Sequence, residues 1–353
     1  MSRNIFSFDK KEFEKEMEGW GELSYRVDQV FDWIYKKLIF DPMQMTNLPI
    51  PLREKLKNNF SFDLPKIVSK VKNMNTKKYL MELEDGEKIE TILMKHSNRR
   101  TICVSTQVGC SFSCGFCATG LIGLRRNLHA EEIVSQILLL GKELREENEK
   151  ISNIVFMGMG EPLANYSSVI KALRIIHEDW GLNIGAKHIT ISTIGIVPKI
   201  YDLAKENLKV RLAISLHAPN NDLRDKVIPL NKEYPIEDLI EAAWFYAEKT
   251  GRRVTFEYVL IKDFNDKPEH ARELITLLKG KPAHVNLIPW NRVSEYPWDT
   301  PRMNSIERFE RYLKEAGLKV TLRRSYGSNI RAGCGQLRAV YLQKVKEGKK
   351  CEN

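Results

Sequence analysis

The sequence lacks a long hydrophobic run: no stretch of its 353 residues approaches the roughly 18 consecutive apolar residues that a membrane-spanning helix requires. The amino-terminal segment contains no apolar stretch of the signal-peptide kind, and Phe13, Met17 and Trp20 fall at helical spacing instead. Low-complexity linkers and repeats of fixed period are also lacking. From these absences we expect a cytoplasmic protein with no membrane partner.

Cysteine is scarce, with six residues in all, yet three of the six lie within the segment CSFSCGFC. A structural zinc site uses four ligands, usually from two CxxC pairs, and no second pair follows this segment. Three thiolates without a fourth protein ligand are typical of an iron–sulfur cluster that keeps one iron open for another molecule. We therefore interpret Cys110, Cys114 and Cys117 as metal ligands, with a structural metal knuckle as the alternative.

Acidic residues are too few to balance the basic ones. The chain has 56 Lys and Arg against 46 Asp and Glu, so its formal net charge is +10. A basic surface attracts polyanions because phosphate binding releases counterions, and RNA is therefore a candidate partner. A solvated basic surface without a ligand is the alternative.

The order of sequence patterns predicts four segments. These are a helical domain (1–60), a β-hairpin extension (61–98), a main domain (99–345) and a polar tail (346–353). Helical spacing in the first segment is interrupted by Pro42, Pro49 and Pro51. In the second, apolar and polar residues alternate on either side of Asp85-Gly86, which is a strong signal for a hairpin turn.

The main domain alternates strand-like and helical stretches. Its strand-like runs are TICVSTQ, ISNIVFMG, HITIST, VRLAISLHA, RVTFEYVLI and AHVNLIPW, and helical spacing occurs at 129–148, 167–179, 235–250, 267–278 and 305–316. This alternation is typical of βα units, which form a parallel sheet with right-handed crossovers. Because six units are fewer than a closed eightfold barrel needs, we predict an α/β fold with a partial (β/α)6 barrel.

Candidate ligand-binding residues stand where several of these strands end. Gly160 and Glu161 follow the second strand, where glycine lets backbone approach a ligand and a carboxylate can accept from an ammonium group. The other candidates are Ser192, Ser215, Leu216, His217 and Asn291. Each alone is equally typical of a cap or loop, but polar groups at one end of successive strands indicate a cofactor pocket.

Two further cysteines stand apart from the cluster. Cys103 lies in the first strand of the main domain, where a lone cysteine is usually a small core residue. Cys334 lies in AGCGQL, where flanking glycines usually form a turn but would also leave a thiolate unobstructed. Cys351 lies in the polar tail and has no evident role.

The CxxxCxxC spacing after the first strand of a partial barrel resembles the radical S-adenosylmethionine (SAM) superfamily. The resemblance implies that Cys110, Cys114 and Cys117 hold a [4Fe-4S] cluster whose fourth iron binds the amino and carboxylate groups of SAM. It also implies reductive cleavage of SAM to a 5′-deoxyadenosyl radical. FMGMGEP resembles the superfamily's GGE strand, which assigns Gly160 and Glu161 to the SAM amino group.

A closer resemblance covers nearly the whole chain. The segments CVSTQVGCSFSCGFCATG, FMGMGEPLAN, ISTIGIVP, SLHAPN, NLIPWN and GCGQL are similar to those of the RlmN/Cfr family. That family methylates an adenine of 23S rRNA at C2 or C8, and RlmN-type members also modify an adenine in the tRNA anticodon loop. Pro162 and Trp290 favour C2, with C8 as the alternative.

Two other classes are further alternatives. Another radical SAM enzyme would have no use for Cys103 or Cys334. A non-enzymatic iron–sulfur module that binds RNA would have no use for polar groups at several strand ends.

The resemblance also implies roles for individual residues. Two SAM molecules are used per turnover: one methylates Cys334 and the other supplies the radical. Cys103 takes the ring proton and ends in a disulfide with Cys334, which a reductant such as flavodoxin opens again. Glu90 occupies the place of a proton acceptor. We expect a monomer whose RNA contacts include the helical domain and, near the site, Arg125, Arg126, Arg323 and Arg324.

Overall fold

The amino-terminal segment is helical in the computed structural model, which describes residues 3–323. Its elements are β1 (Arg3–Asn4), α1 (Lys10–Glu18), α2 (Tyr25–Phe31), a π-helical turn (Asp32–Lys36), α3 (Ile50–Asn59) and β2 (Phe60–Ser61), with 3-10 turns at Ile5–Ser7 and Pro42–Gln44. Helix α1 begins after Asp9, which forms a reciprocal capping box with Glu12. Phe13 stacks on Phe31 at 5.3 Å between ring centroids, and Phe31 lies 5.4 Å from Trp180. These aromatic contacts join the helices to the main domain.

The β-hairpin predicted at Asp85-Gly86 is confirmed. Strands β3 (Lys66–Lys72), β4 (Thr76–Glu82), β5 (Lys88–His96) and β6 (Arg99–Cys103) pair in antiparallel order. Gly86 has a φ of 82°, in the left-handed region that this turn requires. The four strands do not form a separate sheet, because β6 also pairs in parallel with the next strand of the main domain.

The main domain contains the six predicted strands, and three more lie within its described residues. After β6 come β7 (Gln107–Gly109), β8 (Leu124–Asn127), α4 (Ala130–Glu146), β9 (Asn153–Phe156), α5 (Tyr166–His177), β10 (Ile189–Thr193), α6 (Val197–Lys205), β11 (Arg211–Ser215), α7 (Asn221–Val227), α8 (Ile236–Thr250), β12 (Val254–Leu260), α9 (Pro268–Leu278), β13 (Ala283–Pro289), α10 (Met303–Glu315) and β14 (Lys319–Leu322), with 3-10 turns at Ala118–Ile122, Pro162–Asn165, Ala186–His188 and Pro229–Lys232. Across residues 3–323, no helix is long and apolar enough to cross a membrane. The three additional strands are β7, β8 and β14, and each has only three or four residues, which is too short a pattern to predict a strand.

One open sheet of ten strands therefore organises the described part of the chain, in the order β14-β13-β12-β11-β10-β9-β6-β5-β4-β3. The strands from β14 to β6 are parallel, as βα units require. Strands β7 and β8 form a separate antiparallel ribbon. The α/β class and the partial barrel are confirmed, whereas the division of the chain into domains stays a prediction.

The two faces of this sheet differ in character. On the outer face, Phe256 packs edge-on against Trp244 of α8, and Tyr258 stacks on Phe309 of α10. Because side chains alternate along a strand, Glu257 between them lies on the opposite face, which we call the inner face. The inner face lies away from the helices and carries the polar side chains described below.

Candidate active site

The three clustered cysteines lie in the loop that follows β7. Cys114 is buried, Cys110 and Cys117 are half-buried, and all three are free thiols. The N–H of Gly115 donates to the carbonyl of Val227 at 2.8 Å, and a Cβ at position 115 would lie 3.5 Å from the Cα of Val227. That separation is ordinary van der Waals contact, so it is the hydrogen bond that ties the cysteine loop to the end of α7.

Two aromatic side chains that follow β13 hold the carbonyl groups of the cysteine loop. The indole N–H of Trp298 donates to the carbonyl of Gly115 at 2.8 Å. The hydroxyl of Tyr296 lies 3.1 Å from the carbonyl of Cys114 and 3.3 Å from that of Cys117. These hydrogen bonds fix the backbone of the loop within the protein itself.

Burial disfavours an uncompensated negative charge on the thiols of the loop. Burial raises the pKa of Cys110 to about 11, and burial and the neighbouring thiols raise that of Cys114 well above its usual value. A bound metal cluster reverses this preference because its positive charge stabilises thiolates.

The residues of the loop fit an iron–sulfur cluster. In the described residues no three His, Cys, Asp or Glu side chains converge as ligands of one ion. A [4Fe-4S] cluster bonds each cysteine to a different iron and does not require that convergence. The buried hydroxyl of Thr119, in the same loop, has no hydrogen-bond partner among residues 3–323, and cluster sulfurs can accept such a bond.

A buried arginine, Arg224 of α7, lies near the cysteine loop. Its guanidinium donates to the side chain of Asn231 at 2.7 Å and to the carbonyls of Ile194 at 2.6 Å and Leu216 at 3.2 Å. Burial lowers the pKa of Arg224 to about 10, while the negative form of Cys114 acts in the opposite direction. Arg224 therefore ties the ends of β10 and β11 together and places a positive charge near the thiols.

Glu161 is buried at the end of β9 and connects it to β10. One carboxylate oxygen accepts from the N–H of Leu163 at 3.0 Å and the other from the N–H of Ile194 at 2.9 Å. Burial raises the pKa of Glu161 to about 7, although these hydrogen bonds lower it. Gly160 has a φ of 97°, and a Cβ there would lie 2.5 Å from the Cβ of Gln107. The glycine thus permits close approach of the chain to itself, and the SAM contact stays a prediction.

The Ser215-Leu216-His217 run lies at the end of β11, as the sequence predicts. The side chain of Leu216 is fully buried in the main core. The Nδ1 of His217 accepts from the N–H of Val259 at 3.1 Å, and its ring meets Phe116 edge-on at 4.6 Å. Burial lowers the pKa of His217 to about 3, so the imidazole is neutral. His217 therefore connects β12 to the cysteine loop.

The remaining candidates for SAM contacts are placed differently. Ser192 is half-buried within β10, and its neighbours along the strand alternate between buried and half-buried. Asn291 is exposed beyond the end of β13. Their contacts with SAM stay predictions.

Lys78, Glu90 and Cys103 form what we call the first wall of the inner face. Lys78 and Cys103 both pair in register with Ile92 of β5, and Glu90 lies two residues from Ile92, so all share one face. Tyr79 hydrogen-bonds to α4, which places Lys78 on the side away from the helices. The ammonium nitrogen of Lys78 lies 3.7 Å from Oε1 of Glu90, and both side chains are at most 3% exposed.

Ser215, Glu257 and Asn286 form the second wall, on three neighbouring parallel strands. Glu257 pairs in register with Ser215 on one side and with Asn286 on the other. The amide of Asn286 donates to Oε1 of Glu257 at 3.0 Å. The other oxygen, Oε2, is buried and has no hydrogen-bond partner in the part of the chain that is described. Burial raises the pKa of Glu257, although the positive charge of Arg323 and the hydrogen bond from Asn286 act in the opposite direction.

Two of the arginines predicted to contact RNA form ion pairs within the chain. Arg125 pairs with Glu87 at 2.6 Å and Arg126 with Asp85 at 2.7 Å, so both connect β8 to the hairpin turn. Arg323 is exposed. Arg324, Cys334 and Cys351 lie outside the described residues.

Comparison with known proteins identifies the class of protein that has this fold and this cysteine loop. Residues 104–275 match the radical SAM superfamily, and residues 3–61 match the ribosomal RNA large subunit methyltransferase N-terminal domain. A solved radical SAM methyltransferase from Sphaerobacter thermophilus has 45% sequence identity and a TM-score of 0.91, over 95% of this chain and 98% of its own. The fold and the cysteine loop are those of a radical SAM methyltransferase, a class that uses a [4Fe-4S] cluster and SAM.

Curated relatives narrow the class to a family. The probable dual-specificity RNA methyltransferase RlmN of Dictyoglomus thermophilum is 66% identical over 96% of this chain and 98% of the relative. Its counterpart in Geobacillus thermodenitrificans is 50% identical over 95% of this chain and 93% of the relative. The chain belongs to the RlmN family, and the family predicted from the sequence is confirmed.

Sequence reasoning missed Lys78, Arg224 and Glu257. Glu257 carries a detectable signal, because it is a charged residue inside the otherwise apolar run VTFEYVL. Arg224 lies in the polar helix NDLRDKV, where nothing in the sequence distinguishes it from a solvated residue.

Proposed function

We propose that this chain methylates C2 of an adenine in 23S rRNA and of an adenine in the tRNA anticodon loop. The names of the two similar proteins support RNA as the substrate. A net charge of +10 favours such polyanionic partners. The observation that carries the proposal is the first wall, which brings the buried side chain of Cys103 onto the same face as a buried carboxylate and ammonium group.

Methylation at C2 needs more than ordinary displacement, because this ring carbon is a poor nucleophile. When bound at Cys110, Cys114 and Cys117, the cluster and SAM supply a radical able to remove hydrogen from a methyl group. The chain must then hold a methyl group beside the ring. The thiolate of Cys334 suits this task, because a thiolate readily displaces the methyl group of SAM.

Cys103 resolves the product in this proposal. Once the methylene carbon on Cys334 is joined to C2, the thiolate of Cys103, whose own proton has passed to Glu90, takes the ring proton. As the sulfur of Cys103 then attacks the sulfur of Cys334, the bond between the Cys334 sulfur and the methylene carbon breaks, that carbon takes up the proton held on Cys103, and a Cys103–Cys334 disulfide forms. The one surplus electron that radical addition leaves on the ring would return to the cluster, and methyladenine leaves. Two electrons from a reductant such as flavodoxin restore both thiols.

Glu90 is the proposed proton acceptor, and its partner Lys78 supports this assignment. Burying an ammonium and a carboxylate together is costly, and apolar residues of similar size often stabilise a fold better. A buried ion pair on the same face as Cys103 is therefore better explained by proton transfer at that cysteine than by stability.

The proposal extends to the setting of the enzyme. We expect a monomer that works in the cytoplasm, where thiols are kept reduced between turnovers. The amino-terminal helices and the exposed Arg323 would contribute RNA contacts through phosphate groups.

Mass spectrometry of modified RNA tests this function. Cluster-loaded protein is incubated anaerobically with SAM, a reductant and either a 23S rRNA fragment or tRNA, and the digested nucleosides are analysed. We expect 2-methyladenosine from both RNAs, a methyl group on Cys334, and no product from Cys334→Ala. Product at C8 would instead support 8-methylation, and product from rRNA alone would remove the tRNA substrate.

A further inference from the structure

Glu257 has a buried carboxylate oxygen that residues 3–323 leave without a hydrogen bond. Its side chain is 4% exposed, and its Oε2 finds no hydrogen-bond donor anywhere in residues 3–323. Leaving a buried polar group unsatisfied costs roughly 1–3 kcal/mol, and more if the group is charged. A bound ligand that donates a hydrogen bond to this oxygen would remove that cost.

The carboxylate of Glu257 is held in one orientation. The Asn286 amide donates to Oε1 at 3.0 Å, and both residues are fixed in register on neighbouring strands. The backbone carbonyl of Glu257 accepts from the N–H groups of Leu216 and His217, at 3.1 and 3.2 Å. A side chain anchored through one oxygen leaves the other as a prepared acceptor.

Glu257 lies close to the cysteine loop, where the cofactor is expected to bind. Val259, on the same face of β12, packs in one apolar cluster with Ala118, the residue after Cys117. Two residues along a strand span about 7 Å, so Glu257 lies one step below the cysteine loop on the inner face. Ser215 is its register partner on β11.

A molecule bound at the cysteine loop through its amino-acid end must place its nucleoside end elsewhere in the barrel. The nucleoside of SAM offers two ribose hydroxyls, which are good donors to a carboxylate. We propose that Oε2 of Glu257 accepts a hydrogen bond from a ribose hydroxyl of SAM, with Asn286 as the residue that positions the carboxylate. This proposal rests on SAM being the cofactor and adds the contact that holds its ribose.

Equilibrium dialysis with hydroxyl-deleted cofactors tests the contact. Cluster-loaded wild-type protein, Glu257→Met, Glu257→Gln and the exposed control Glu269→Gln are each dialysed against SAM, 2′-deoxy-SAM and 3′-deoxy-SAM. For wild type and the control, we expect one deoxy analogue to bind about tenfold or more weakly than SAM. Glu257→Met should bind SAM and that analogue equally, and Glu257→Gln should fall between because its amide oxygen is a neutral acceptor.

Three results would overturn the proposal. Discrimination against the deoxy analogue could survive in Glu257→Met, or the wild-type protein could show none. Alternatively, Glu257→Met could bind SAM normally but lose affinity for the RNA substrate, which would assign Glu257 to the target nucleotide. Methylation by wild-type protein is followed in parallel, so that failure of the proposed function appears as missing product and not as altered discrimination.

Thermal unfolding without SAM separates binding from folding. Because no group in residues 3–323 satisfies Oε2, Glu257→Met should melt at the wild-type temperature or above it. A much lower melting temperature for both Glu257 variants would show that the carboxylate serves the fold, which contradicts a ligand-binding role.

Discussion

The two walls of the inner face differ in the partners that they provide for a buried carboxylate. In the first wall, Glu90 lies 3.7 Å from the ammonium group of Lys78. In the second, Glu257 has an amide at one oxygen and, within the described chain, no partner at the other. The difference suggests a division of labour: the first wall is compensated before any ligand arrives and suits proton transfer, whereas the second is completed by a ligand.

Removing one of the predicted cluster ligands should have the largest effect, because SAM binding and the chemistry proposed for both walls depend on the cluster. Cys114→Ala leaves two thiols in a loop that offers three, so we expect loss of the iron–sulfur absorbance and of SAM cleavage to 5′-deoxyadenosine. The measurements are absorbance spectra and chromatography of anaerobic reactions. Cys351→Ala, in the polar tail, is the control that should retain both. If Cys114→Ala keeps full absorbance and turnover, Cys114 is not a ligand.

Breaking the ion pair of the first wall should give the next largest effect. Lys78→Met leaves the carboxylate of Glu90 buried without its cation, and we expect the free energy of unfolding to fall by about 3 kcal/mol. The measurement is urea-induced unfolding of the cluster-free protein.

The double variant Lys78→Met/Glu90→Leu provides the matched control. Removing both charges should restore most of the lost stability, because neither remaining residue needs solvation. Unfolding free energies close to wild type for the single variant would show that the first wall is no better compensated than the second.

Ionisation of Glu161 should make the stability of the fold depend on pH, an effect smaller than that of the two preceding changes. Its pKa in the folded protein is about 7, above the ordinary value of 4.5, so between these values the folded protein holds a proton that the unfolded chain has released. Stability therefore falls as pH rises from 4.5 to 7. In Glu161→Gln, the drop in melting temperature between pH 4.5 and pH 7 should be smaller by a few degrees. An unchanged slope would mean that Glu161 ionises normally.

Local patterns predicted much of the fold. The hairpin at Asp85-Gly86 has the residues that its turn needs, and six strands show runs long enough to recognise. The continuation of that hairpin into the main sheet was missed. It depends on a two-residue turn between His96 and Arg99, in which Ser97 has a φ of 45° without being glycine.

The sequence predicts site residues where the chemistry is local in sequence, and their roles stay predictions. The spacing of the cluster cysteines requires no knowledge of the fold. Lys78, Arg224 and Glu257 act through burial and through partners on other strands, and burial is a property of tertiary structure. A single sequence shows their charge but not that the folded protein removes that charge from water.

The most direct measurement asks whether Cys103 on the first wall is a catalytic thiol or a core residue. Cys103→Ala is incubated anaerobically with cluster, SAM, reductant and RNA, and the products are separated on a denaturing gel. Cys103→Ala/Cys334→Ala is the control, which should give no adduct. The account predicts that Cys103→Ala still methylates Cys334 and cleaves SAM but accumulates RNA joined to Cys334 through a methylene group, as a nuclease-sensitive band. Release of free methyladenine RNA by Cys103→Ala at the wild-type rate would contradict it.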